Sequence, residues 1–158
     1  MISITAAEHA VAFPSKLKSS LCGHIYNMVL QQDLDNGTVR GIGDYVSFDQ
    51  YKDVAAPAAF AGKVVDVAAN GNFYVRVTAV DADEPAVLIY DDPIIKETND
   101  RHFISAKYFY NPEGATVRAF ELAVGDIFEV SAAAFTTPTT VAVGKSVSAN
   151  SAGKLVAA

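Results

Sequence analysis

The chain has 158 residues, 12 Lys plus Arg against 18 Asp plus Glu for a net charge of −6, and one cysteine. A single domain of this length buries roughly 70% of its unfolded surface and needs no disulfides to fold, and a lone cysteine cannot form an intrachain bridge. With Lys16 and Lys18 the nearest approach to a basic run, and no apolar run near the ~18–20 residues that span a bilayer, phosphate-mediated nucleic-acid binding and membrane insertion are both disfavoured.

In chain order, "MISITAAEHA" lacks a basic region followed by an apolar core, so no secretory signal is expected. Thr5 with Glu8 three residues later fits a capping box, and "AAEHAVA" has adequate helix propensity as far as Pro14. An extended arm fits equally well. Residues 1–23 are therefore read as an N-terminal arm or short helix, and 24–158 as a β-rich domain. Cys22 lies beside Gly23-His24, on paper a nucleophile next to its base. Working pairs usually come from separate elements, and with a two-residue spacing chance is the better account of this pair. A small buried hydrophobe is the better reading of Cys22.

"DLDNG", residues 33–37, invites a calcium-loop reading that fails on spacing. With Asp33 first and Asp35 third, the fifth position is Gly37, the sixth Thr38 and the twelfth Asp44, where ligand, glycine and glutamate are required. Asn36-Gly37 instead suits a two-residue hairpin turn, with Tyr26, Val29 and Leu30 before it and Val39 and Ile42 after. Asp33 and Asp35 then become solvated turn residues.

Asn70-Gly71 predicts a second hairpin. On its returning strand Phe73, Val75, Val77 and Ala79 share one face, and Tyr74, Arg76 and Thr78 the other. "PAVLIY" (85–90) is a short apolar strand closed by "DDP". The stretch 102–131 reads strand, turn, strand, turn, strand, with turns at Pro112-Glu113-Gly114 and Val124-Gly125-Asp126. "IGDYVSF" (42–48), "VGDIFEV" (124–130) and "VGKSVSA" (143–149) recur as apolar residue, glycine and charge before a strand. They predict one turn device in which Gly43, Gly125 and Gly144 relax the backbone. The tail from 132, with Lys145 and Lys154 as its only charges, is too apolar for a linker and predicts short terminal strands or a strand added to a neighbour. The whole predicts an all-β fold, a single antiparallel β-sandwich or barrel-like domain with a C-terminal strand segment.

No local pattern specifies chemistry. His9, His24 and His102 are far apart, with no HxH or HxxxH spacing for a metal. There is no GxSxG elbow for a serine nucleophile. Carboxylates cluster at "DADE" (81–84) and "DD" (91–92), flanking the strand "AVLIY", and most simply are solvated loop ends. Tyr108 and Tyr110 would share a strand face, as core or as a sugar-stacking platform. No catalytic, cofactor-binding or metal residue is assigned, and the chain is expected not to be an enzyme.

The order "HIYNMVLQQDLDNGTVRGIGDYV", "FAGKVVDVAANGNFYVRV", "YFYNPEGATVRAFELAVGDIFEVS", "VAVGKSVSANSAGKLVAA" resembles head decoration proteins of tailed bacteriophages, also called capsid cement or stabilising proteins. The motifs that carry the likeness are Asp33-Leu34-Asp35-Asn36-Gly37, Val124-Gly125-Asp126, Val143-Gly144-Lys145 and Gly153-Lys154-Leu155-Val156. They are turns and strand patterns, covering about residues 24–157, and they transfer no site residue. The resemblance implies a structural virion protein on the capsid exterior, made in the host cytoplasm. Its partner would be the major capsid protein of the phage head, and it would form a homo-oligomer such as a trimer. A phage tail or fibre module, or another β-sandwich binding module, recognising a glycan or protein is the alternative. On the capsid-binding reading residues 132–158, without an acidic side chain, and the arm 1–16 are expected to hold most of the interface around a self-stable 62–130 meander.

Overall fold

In the computed structural model, which describes residues 7–57, 59–93 and 105–158, the chain is all-β with one short helix. The strands are β1 (Ala12–Phe13), β2 (Ile25–Val29), β3 (Val39–Ser47), β4 (Gln50–Val54), β5 (Phe60–Val67), β6 (Phe73–Val80), β7 (Ala86–Tyr90), β8 (Thr116–Glu121), β9 (Ile127–Val130), β10 (Ser146–Ala149) and β11 (Leu155–Ala157). They form two sheets. One is a closed five-stranded barrel in the order β2-β4-β3-β7-β8, and the other is a six-stranded sheet in the order β1-β9-β6-β5-β10-β11. Pairing is antiparallel except between β2 and β4, which run parallel, so the barrel is not the wholly antiparallel one expected.

Strand β7 explains how the sheets share a core. Val87 and Ile89 belong to the barrel interior with Met28, Leu30, Val117 and Ala119. Ala86 and Leu88, pointing the other way, join Val64, Val75, Phe128, Val147 and Leu155 between the sheets. A strand covered on both faces reads as a continuous apolar run rather than an alternating one. That is the origin of "AVLIY". On β6 the expected alternation holds for buried Val75 and Val77 against exposed Arg76 and Thr78. It breaks at Ala79, because Ala61 pairs with Ala79 while Gly62 pairs with Val77, leaving Thr78 as an extra residue. A bulge of this kind rotates the strand beyond it, and Ala79 becomes exposed.

The N-terminal stretch is not helical where helix was one expectation. Thr5 lies outside the described residues, and residues 8–11 carry no helix. The His9 amide donates to the Lys107 carbonyl at 2.6 Å and the Ala10 amide to Asp35 at 3.1 Å, bonds that compete with helical ones. The helix, α1 (Lys18–Cys22), comes later and ends at Gly23 in the left-handed conformation.

"DLDNG" is not a hairpin. Strand β2 pairs with β4 and β8, never with β3, so the segment crosses between non-adjacent strands. Gly37 does have a positive φ of 84°, but Asn36 is buried and does not. Its amide donates to the Asp91 carbonyl at 2.9 Å, and its side-chain oxygen accepts from Asp91 N–H at 3.0 Å and from the Asn111 amide at 2.9 Å. Asp35 is no solvated turn residue either: it accepts from His9 Nδ1 at 2.6 Å.

One glycine device recurs. The Gly125 N–H donates to the Val77 carbonyl at 2.9 Å while Val77 N–H donates to the Asp126 carbonyl at 2.8 Å. Gly144-Lys145 bracket Val64 in the same way, Gly37-Thr38 bracket Ile89, and Gly114-Ala115 bracket Leu30. Each glycine has positive φ, as the bulge that opens these strands requires. The recurrence therefore holds at Gly125 and Gly144 and extends to two unforeseen sites. It fails at Gly43, which lies inside β3 without a positive φ, where a Cβ would come within 2.7 Å of the Lys52 carbonyl oxygen.

The Asn70-Gly71 hairpin joins β5 to β6, with Gly71 N–H on the Ala68 carbonyl at 2.9 Å and Gly71 at φ 86°. Nothing lies within 4 Å of a Cβ built there, so Gly71→Val meets only backbone strain. It should cost about 1–2 kcal/mol in urea unfolding. A valine variant as stable as wild type would contradict the left-handed assignment.

Residues 106–108 form a 3-10 turn rather than the expected strand, with Tyr108 and Phe109 buried. The tail does form short strands, the hairpin β10–β11, and β10 also pairs with β5. It is part of the main core rather than an appendage: Val147 is 2% and Leu155 0% exposed. Among the described residues no helix is long and apolar enough to cross a membrane.

Candidate interaction surfaces

The β3–β4 hairpin presents the most exposed aromatic group described. Ser47 pairs with Gln50, leaving Phe48 and Asp49 as a two-residue turn with φ of 52° and 59°. Both are left-handed, as a hairpin of this length favours, yet glycine and asparagine are the usual occupants. A bulky side chain there is a strained outlier. Phe48 is 90% exposed, and Tyr45 and Val46 beside it are also exposed. Below the tip Tyr45 packs edge-on against Tyr51 at 5.4 Å, and its hydroxyl accepts from Asp49 N–H at 3.2 Å. The aromatic tip is thus held in place from beneath.

A second surface lies on the six-stranded sheet. The glycine brackets at 125 and 144 clamp β6 and β5, and they form the walls of an open groove of about 670 Å³. Val124 and Val143, the residues before those glycines, are 64% and 57% exposed along it, and Val65 is also exposed. Lys63 and Arg76 are cross-strand neighbours in the same groove. Neither makes an ion pair among the described residues.

A polar cleft of about 430 Å³ is bounded by Glu8, His9, Gln32, Asp33, Asp35 and Tyr110, among others. His9 stacks on Tyr110 with ring centroids 5.2 Å apart. Lys107 pairs with Glu8 at 2.8 Å; that hydrogen bond holds the carboxyl below its ordinary range and the ammonium above its own.

Cys22 is exposed at the end of α1 and not the buried hydrophobe expected. Gly23 ends the helix in the left-handed conformation and leaves the thiol on the rim of a small cleft with Lys18, Ser19, His24 and Glu121. Glu121, 97 positions beyond His24, lies 3.4 Å from its Nδ1, so a carboxylate invisible to local sequence does stand there. It also accepts from the Tyr26 hydroxyl at 2.8 Å; burial and then that bond push the phenol up to about 12.

The other singled-out residues do not converge. "DADE" and "DD" sit at opposite ends of β7, roughly 20 Å apart at ~3.3 Å per residue, beyond any glycosidase carboxyl spacing. Asp81 instead accepts from Asp83 N–H at 2.8 Å, and Asp92 pairs with Arg118 at 2.7 Å. His102 lies outside the described residues. Among the described residues no three His, Cys, Asp or Glu side chains are placed to hold a metal. Sequence reasoning missed both the Phe48 tip and the Lys63–Arg76 groove. The recurring V-G-charge step was the one signal for the groove.

Comparison of the chain with protein-family models, with curated proteins and with solved structures finds no match.

Proposed function

We propose that the chain is a structural virion protein that binds the outer surface of a tailed-phage head and stabilises it. Its partner is the major capsid protein, and its role is mechanical rather than enzymatic. The observation that carries this reading is the distribution of its exposed apolar residues over different parts of the fold. Leu21 on α1, Phe48 at the tip of the barrel hairpin, and Val124 with Val143 in the turns that wall the groove of the other sheet stand exposed at three different places in the fold. Apolar surface rimmed by polar groups marks interaction sites, and several such surfaces on one small body suit a brace that touches several neighbours. The resemblance of its turn motifs, in their order, to those of decoration proteins supports the same reading. Purified protein added to heads that lack it should co-sediment with them and raise the temperature at which they release DNA. Failure to co-sediment would refute head binding.

A second reading, a tail or fibre module recognising a glycan, is supported by the polar cleft. Tyr110, Gln32, Asp33 and Glu8 supply the aromatic face, amide and carboxylates that hold sugars. Binding to a glycan array that disappears in Tyr110→Ala would favour it over head binding.

A further inference from the structure

We infer that the Phe48 hairpin tip docks into the Lys63–Arg76 groove of a second copy of this chain. Like charges directly opposite on neighbouring strands are destabilising, and Lys63 and Arg76 are such a pair. They sit beside exposed Val65, Val124 and Val143 with no ion-pair partner among the described residues, and exposed Asp66 stands beyond the Val64–Val75 pair, opposite Tyr74. That arrangement suits an incoming group that is apolar at its centre and acidic at its edge. The hairpin tip is such a group. Phe48 is followed in the turn by exposed Asp49, and exposed Asp44 lies four residues back on β3, level with Lys52 of β4; neither aspartate has an ion-pair partner among the described residues. On a chain of net charge −6, an apolar groove with two cations and an aromatic knob that is acidic on balance, with Asp44 and Asp49 against Lys52, are complementary.

The backbone gives an independent indication. Asparagine at position 48 would relieve the left-handed strain, so a phenylalanine held there at a cost to stability is a side chain retained for what it touches. Knob and groove are different surfaces, so the contact is either made twice, reciprocally, in a two-fold dimer, or repeated from copy to copy into a ring or filament. This inference does not depend on head binding, and the two are read by separate assays.

The test is sedimentation equilibrium of the full chain and of Phe48→Asn, Val143→Asp and Lys63→Glu/Arg76→Glu. Wild type should self-associate below about 100 μM, more weakly at high salt. Each variant should weaken association by roughly 30-fold or more, as loss of an aromatic anchor or of buried charge complementarity does. Phe48→Asn should melt no lower than wild type, which separates lost binding from lost folding. Decisively, Phe48→Asn keeps an intact groove and Val143→Asp an intact tip, so mixing the two should give a one-to-one complex. A wild type that stays monomeric would overturn the inference, as would variants that still associate. Monomeric variants that fail to pair on mixing would overturn it too; a tip-to-tip contact would instead leave Val143→Asp associated, and a groove-to-groove contact would leave Phe48→Asn associated.

Discussion

Arg40→Met is expected to destabilise the fold by about 3–5 kcal/mol, the scale for removing one partner of a buried ion pair. Arg40 Nη2 lies 2.5 Å from Asp53 Oδ2, with side chains 3% and 0% exposed. Asp53 also accepts from Gln31 N–H at 2.6 Å. Arg40 Nη1 donates to the Ala55 carbonyl at 2.9 Å and the Ala152 carbonyl at 3.1 Å, joining the barrel to the β10–β11 hairpin. Methionine keeps much of the volume but leaves a carboxylate in the interior with one remaining amide. Urea unfolding should show the loss, and Arg40→Met/Asp53→Asn should recover part of it by removing the stranded charge. A single variant within about 1 kcal/mol of wild type would mean that water reaches Asp53.

Truncation after Lys145 should abolish cooperative folding. The sequence had suggested the reverse, a folded monomer that merely loses its interface. Losing 146–158 removes Val147 and Leu155 from the core between the sheets and unpairs β5 on one side. It also takes away the Gly153 carbonyl that accepts from Val39 N–H at 2.9 Å, and the Ala152 carbonyl that Arg40 uses. Each buried aliphatic side chain contributes about 1.5–3 kcal/mol, and with the broken ladder the loss approaches the ~5–15 kcal/mol by which a domain is stable. Near-ultraviolet circular dichroism and thermal unfolding would report it. A truncated chain with a sharp, native-like transition would show that the meander stands alone.

What the sequence made legible was local. Val75 and Val77 alternate with Arg76 and Thr78, "AVLIY" is a covered strand, and the glycines at 71, 114, 125 and 144 turn the chain. What it hid was which strands become neighbours. Asn36-Gly37 has the composition of a hairpin, but the partners of Asn36 are 55 and 75 positions away, at Asp91 and Asn111. The actual two-residue turn is Phe48-Asp49, where neither residue announces it. Asp35 looked solvated because His9, beside it in the fold, lies 26 positions off, and nothing local pointed to Glu121 as a neighbour of His24, 97 positions away. The groove stayed hidden for the same reason, since Lys63 and Arg76 meet only once β5 and β6 are in register.

Closure of the barrel has a kinetic consequence. Its last seam joins β2 to β8, where Ile25 faces Phe120, and the other sheet is completed by β1 on β9, where Ala12 faces Val130. Almost the whole span between these partners must be gathered before either seam forms, and loop entropy is lost before any contact offsets it. The β5–β6 hairpin is the natural early element, because its strands are joined by one tight turn. Chains dominated by such distant pairings fold in milliseconds to seconds rather than microseconds. Until the seams close, β2 and β9 keep open edges, and crowding of unfinished molecules during refolding is the hazard that follows.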